Sequence, residues 1–130
     1  MTLAPEIKKS WNVFELMREQ SSDPPSFTRT SYGDGENLAH RNITDWAEEL
    51  SLENTHDYAE NQYVTLPGND RMAPRVILGS HMDSVRYGGN FDGAAEAICG
   101  TAALHRLHRM KRLPERDLTV MAIRAEEVVF

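Results

Sequence analysis

The 130-residue chain is 40% hydrophobic and 26% charged with a formal net charge of -6, which is enough apolar content for one domain with its own core. The acidic balance excludes a nucleic-acid partner, because phosphate-backbone binding needs a basic footprint that displaces counterions. A lone Cys99 excludes an internal disulfide and points to a cytoplasmic, reducing compartment; no segment approaches the ~20 apolar residues of a membrane span, and Met1–Lys9 lacks the apolar run of a signal peptide.

Along the chain, Ile7, Trp11, Phe14 and Met17 recur at three-to-four-residue spacing, which predicts one apolar stripe on a first helix. Ser21-Ser22-Asp23-Pro24-Pro25-Ser26 ends it, since neither proline continues a helix. A second helix is expected from Gly35 to Leu50, with Leu38, Ile43, Trp46, Ala47 and Leu50 near one face. His40 and His56 sit in polar surroundings and carry no signal of their own. Gln62–Leu66 reads as a strand closed by the turn residues Pro67-Gly68-Asn69-Asp70.

The apolar run Arg75-Val76-Ile77-Leu78 is of the kind found in strands covered on both faces. The strongest helix runs from Ala94 to about Lys111, and its basic end complements the helix dipole. Leu113-Pro114 stops it before a strand over Leu118–Ile123. His105 and His108 fall in its basic last turns, where surface roles are expected. Strand, long helix, strand is a crossover unit, so the expected fold class is α/β, with a mostly parallel central sheet flanked by helices.

In such sheets ligands gather beyond the carboxyl ends of the strands. His81 and Asp83 directly follow one strand and Glu126-Glu127 the other, so parallel neighbours would deliver both sets to one rim. His81 and Asp83, two apart, point the same way on extended backbone. This makes His81 a candidate metal ligand and Asp83 the acceptor that orients its ring. Asp92 stands at the mouth of the long helix, and Gly88, Gly89 and Gly93 allow the backbone to swing it toward His81. A carboxylate there could bridge two divalent ions. Adjacent glutamates leaving a strand should point to opposite sides, one to bind metal and the other to accept a proton. Taken singly each element also has a structural reading: a His–Asp pair at a strand end, a helix cap, a solvated acidic loop. Their conjunction at two strand ends favours a metal site.

The segments GSHMDSVRYGGNFDG, from Gly79 to Gly93, and RAEEVVF, from Arg124 to Phe130, resemble the N-terminal catalytic region of the hydantoinase/carbamoylase family. That family comprises N-carbamoyl-L-amino-acid hydrolases and allantoate amidohydrolases of the aminoacylase-like zinc peptidase superfamily. The resemblance covers Val76–Phe130 and extends upstream through Asp57–Tyr63 and Leu66–Gly68. It implies that residues 1–130 form the N-terminal part of a zinc-exopeptidase-like catalytic domain, helical over 1–56 and α/β over 57–130. The rest of that domain, its remaining histidine ligands and a smaller dimerisation domain would lie outside this sequence, with full-length relatives homodimeric.

The resemblance further implies two divalent metal ions, zinc or else manganese, cobalt or nickel. His81 would bind one, Asp92 would bridge both and Glu127 would bind the second. Asp83 would orient His81, and Glu126 would be the general base in hydrolysis of a linear amide or ureido C–N bond, foremost that of an N-carbamoyl-L-amino acid. With three ligands for two ions, the isolated chain is expected to bind metal weakly and to be inactive. Allantoate, or an acylase or exopeptidase substrate of the same superfamily, is the neighbouring alternative; an inactive truncated domain with an interaction role is the alternative of another class. Two residues depart from the family pattern. Glu96 stands where a small residue is usual, and could crowd the bridge, become a ligand or face solvent; Val128 replaces the Gly or Ser after the glutamate pair.

Overall fold

A computed structural model describes residues 3–127. Helix α1 spans Pro5–Gln20, its proline in the first turn, where a fixed φ and a missing N–H cost nothing. Strands β1 (Ser22–Asp23) and β2 (Ser26–Phe27) form a small hairpin before α2, Asp34–Glu49. Strands β3 (Glu53–His56), β4 (Gln62–Leu66) and β5 (Val76–His81) follow, then α3 (Ala94–Arg109) and β6 (Leu118–Ile123). The expected strands at 62–66 and 118–123 match, and the helices agree within a few residues. The segment expected to be helical, 1–56, also contains β1, β2 and β3. Its Glu53-Asn54-Thr55-His56 has no apolar alternation to announce a strand, and only pairing with β4 makes it one.

The main sheet has the order β3-β4-β6-β5. The α/β class holds, but the expectation of a mostly parallel sheet is corrected: β3–β4 and β4–β6 are antiparallel, and β5–β6 alone is parallel. The connections explain this. A parallel pair needs a long crossover, which only α3 provides between β5 and β6, whereas the short 57–61 turn between β3 and β4 permits an antiparallel hairpin. The 76–78 run is likewise not covered on both faces. In β5, at the sheet edge, Val76, Ile77 and Leu78 keep 42%, 50% and 44% of their surface exposed.

The helices lie on one face of this sheet. Gly100 of α3 lets the helix approach closely, since a Cβ there would stand 2.9 Å from Val120 Cγ2. Gln62, on the same face of β4 as Val64 and hence Val120, donates through Nε2 to Thr44 of α2 at 2.8 Å. Trp46, Ile43, Ile98, Leu104, Val64 and Val120 fill the layer between them. The buried side of α1 is Glu6, Ser10, Val13, Phe14 and Met17, which rotates Ile7 and Trp11 out to 50% and 57% exposure. The expected stripe was therefore offset, because the polar Glu6 takes an inward position against α3. Arg106 donates to Glu6 Oε1 at 2.7 Å and Arg109 lies 3.3 Å from Oε2. The Arg106 bond, above all, holds the Glu6 carboxyl at a pKa of about 2.

Two histidines read as signal-free or superficial are structural. Trp46 Nε1 donates to His105 Nδ1 at 3.2 Å. His40 is buried, and its Nδ1–H donates to Gln62 Oε1 at 3.2 Å, an oxygen that can only accept. Burial, foremost, and nearby Arg124 push its pKa down to about 4. The unfolded chain therefore takes up this proton at higher pH than the folded one, so the stability contribution is complete above about pH 6.5 and is lost as pH falls toward 4. Urea titrations are expected to lose on the order of 3 kcal/mol from this group between pH 7 and pH 4. A His40→Gln variant should show a correspondingly shallower pH dependence; an unchanged slope would contradict the assignment.

Candidate metal centre

His81 closes β5, Asp92 stands two residues before α3, and Glu127 lies just beyond β6, so the β5–α3–β6 crossover delivers all three to one rim. One donor atom from each lies within 4.8 Å of the others. Ligands around one ion with bonds of ~2.1 Å stand up to ~4.2 Å apart, so the cluster is close to coordinating separation. One imidazole and two carboxylates form a donor set suited to zinc, manganese, cobalt or nickel. Gly93 makes the juxtaposition possible. Its φ of +63° turns the chain from Asp92 into α3, and a Cβ there would stand 2.5 Å from three atoms of the His81 ring.

The acidic pair does not alternate as expected. Glu126 Oε2 and Glu127 Oε1 lie 3.8 and 3.9 Å from His81 Nε2, on the same side. Ala125 takes φ +55° and breaks the extended backbone before strand alternation can apply. The two carboxylates differ instead in exposure, 56% for the Glu126 side chain and 25% for Glu127.

Asp83 is completely buried and acts differently from the simple ring acceptor expected. His81 Nδ1–H donates to the main-chain carbonyl of Asp83 at 3.1 Å, while the carboxylate Oδ1 stands farther off at 3.4 Å. With Nδ1 engaged by the Asp83 carbonyl, Nε2 is the ring nitrogen that faces Glu126 and Glu127 and is left to serve as a ligand atom. The Asp83 carboxylate is taken up elsewhere, accepting from Ser31 Oγ at 2.6 Å and from the backbone N–H groups of Glu126 at 3.2 Å and Glu127 at 3.0 Å. It thus ties the loop after β5 to the loop after β6.

Sequence reasoning missed Arg29, Glu36 and Arg124. Arg29 is fully buried under the 82–92 loop, donating from Nε to Met82 O at 2.8 Å and from its terminal nitrogens to Asp92 O at 3.2 Å and to Asn90 O and Gly89 O at 3.4 Å. Burial lowers its pKa, and the charges of Asp92 and Asp83 oppose that shift. Nothing in Thr28-Arg29-Thr30 distinguishes it from a solvated loop cation. Glu36, also fully buried, pairs with Arg124 at 2.9 Å. Its 88-residue separation from Arg124 leaves no local signal. Glu96 is exposed and outside the ligand cluster, so of the readings open to it solvent exposure holds. Val128 lies outside the described residues. No helix among those residues is long and apolar enough to cross a membrane.

The profile of Peptidase family M28 matches residues 61–130, over half of the chain. The chain belongs to peptidase family M28. Among its relatives, the N-carbamoyl-L-amino-acid amidohydrolase of Pseudomonas sp. (strain NS671) is 34% identical over 85 residues, 65% of this chain and 20% of that protein. The ureidoglycolate hydrolase of Oryza sativa subsp. japonica is 30% identical over 115 residues, 88% of this chain and 24% of that protein. The crystal structure of an amidase of the hydantoinase/carbamoylase family from Burkholderia multivorans superposes with a TM-score of 0.86 at 27% identity, covering 92% of this chain and 29% of that one. These matches support the hydantoinase/carbamoylase branch for this M28 chain. The chain spans only 20% and 24% of the length of these two enzyme relatives.

Proposed function

We propose that this M28 chain supplies the first ligands and the general base of an amidohydrolase that cleaves the ureido C–N bond of N-carbamoyl-L-amino acids. The observation that carries the reading is the convergence of His81, Asp92 and Glu127 at the end of a single crossover unit. His81 Nε2 and the Glu127 carboxylate would each hold one of two divalent ions, with Asp92 between them. Bound there, such ions polarise a carbonyl oxygen and lower the pKa of water. Glu126, the more exposed of the pair, stands beside the same imidazole, where it would take the proton of the attacking water and return it to the leaving nitrogen. Asp83 holds the main chain of Glu126 and Glu127, and its own carbonyl holds the His81 ring. A cytoplasmic setting goes with this reading, since Cys99 is a free, exposed thiol. Homodimeric assembly through segments outside these residues belongs to the same proposal.

The test is a calorimetric titration of the chain with Zn²⁺ or Mn²⁺. Weak, saturable binding is expected, and Asp92→Ala should abolish it while leaving the melting transition in place. Undiminished binding by Asp92→Ala would defeat the reading, and no binding by the unmodified chain would favour a metal-free interaction domain. For substrate, a chimera carrying residues 1–130 in place of the corresponding part of the Pseudomonas amidohydrolase should release ammonia from N-carbamoyl-L-amino acids in preference to allantoate and ureidoglycolate. Preference for either of the latter would move the assignment within the family.

A further inference from the structure

Four consecutive backbone N–H groups after β6 are each captured by a side chain. Arg124 N donates to Asn61 Oδ1 at 2.9 Å, Ala125 N to Glu36 Oε1 at 2.9 Å, Glu126 N to Asp83 Oδ1 at 3.2 Å and Glu127 N to Asp83 Oδ2 at 3.0 Å. Among the described residues, 124–127 belong to no helix or strand that would hold these amides. The direction of the acidic pair is thus set by side chains reaching in from the loop after β5, from α2 and from the turn before β4.

Glu36 stands apart in this group because it touches no candidate ligand and yet grips the residue that turns the chain. Ala125, at φ +55°, is the point where strand alternation fails and both glutamates swing to the side of His81. A non-glycine residue holds a left-handed conformation at a cost of roughly 1–2 kcal/mol, so something must hold it there. The Glu36 carboxylate does so through Ala125 N–H. It is itself fixed by Arg124, by the N–H of Tyr32 and by complete burial. Arg124 in turn donates to Asn37 Oδ1 at 2.7 Å and to Glu60 O at 3.2 Å, which anchors the same loop to α2 and to the 57–61 turn.

We infer that Glu36 is a positioning residue of the metal centre: by clamping Ala125 and Arg124 it aims Glu126 and Glu127 at His81, and so sets the affinity and coordination geometry of the site without contacting the ion. This inference rests on the proposed metal-dependent reading for its consequence, and on the hydrogen bonds above for its mechanism.

Two measurements on the full 130-residue chain separate those parts. The first needs no metal. Amide hydrogen exchange in Glu36→Gln should fall in protection by ~tenfold or more at Ala125 and also at Glu126 and Glu127, whose own acceptor, Asp83, is untouched. If only the Ala125 amide responds, Glu36 does not aim the pair and the inference fails. The second is titration with Co²⁺, read by its visible d–d absorption. Glu36→Gln should weaken binding by ~tenfold or more and change the band pattern. Leu104→Ala is the control for lost stability alone, since Leu104 is buried in α3 ten residues beyond Ala94, ~15 Å along the axis. It should lower the melting temperature while leaving affinity and spectrum alone. A folded Glu36→Gln variant with the wild-type spectrum and affinity would overturn the inference. Absence of Co²⁺ binding in the unmodified chain would instead count against the metal reading, and the exchange data would still decide the role of Glu36. Should Glu36→Gln fail to fold, Asn37→Ala, which removes the exposed Arg124 anchor and leaves Glu36 in place, is expected to lower protection at Glu126 and Glu127 to a smaller extent. Unchanged protection there would overturn the inference as well.

Discussion

Gly93→Ala is expected to disable the metal centre and destabilise the fold together. An alanine at φ +63° carries a left-handed penalty of about 1–2 kcal/mol. Its methyl would also stand 2.5 Å from three atoms of the His81 ring. Overpacking of that kind costs roughly 1–3 kcal/mol. Relief requires either rotating the imidazole away from Glu126 and Glu127 or lifting Asp92 off the rim, and each separates the proposed ligands. Differential scanning calorimetry should show a lower melting temperature, and a Zn²⁺ titration a loss of affinity of ~tenfold or more. Wild-type affinity in the folded variant would show that His81 and Asp92 are not held together by this contact.

Arg29→Met should be the most destabilising single change outside the apolar core. Methionine approximates the length of the stem but leaves the carbonyls of Met82, Gly89, Asn90 and Asp92 without their buried donor. It also removes a buried positive charge that interacts with both Asp92 and Asp83. An unsatisfied buried acceptor and an uncompensated buried carboxylate together predict a loss of about 3–5 kcal/mol in urea unfolding. Arg29→Lys keeps the charge but cannot span several carbonyls at once, so it should fall between the two. A loss below about 1 kcal/mol for Arg29→Met would mean that water takes over these carbonyls and that the 82–92 loop is held by other contacts.

Both residues support the chemistry-bearing 82–92 loop, Gly93 from its end and Arg29 from beneath it, yet only one was legible in advance. Gly93 announces itself by following Asp92 at the start of a helical stretch, where glycine permits a turn that other residues resist. Arg29 sits between two threonines, and its partners are 53 to 63 residues away. The same division runs through the histidines. His81 could be placed at a strand end by the apolar run before it, whereas the burial of His40 depends on Gln62, 22 positions on.

The sequence by itself determined the elements and the chemistry offered at their ends: the strands at 62–66 and 118–123, the long helix from Ala94, and the order His81, Asp83, Asp92, Glu126, Glu127. These follow from periodicity, breakers and turn residues, which act over a few positions. Tertiary structure alone decided that most of the sheet is antiparallel, that α1 presents Glu6 rather than Ile7 to its neighbour, and that Glu126 and Glu127 lie on one side of His81 instead of two. Strand pairing, and the hydrogen bonds that make a buried charge tolerable, are set by partners tens of residues distant. In the acidic loop it is Glu36 and Asp83, 89 and 43 to 44 positions upstream, that override local alternation.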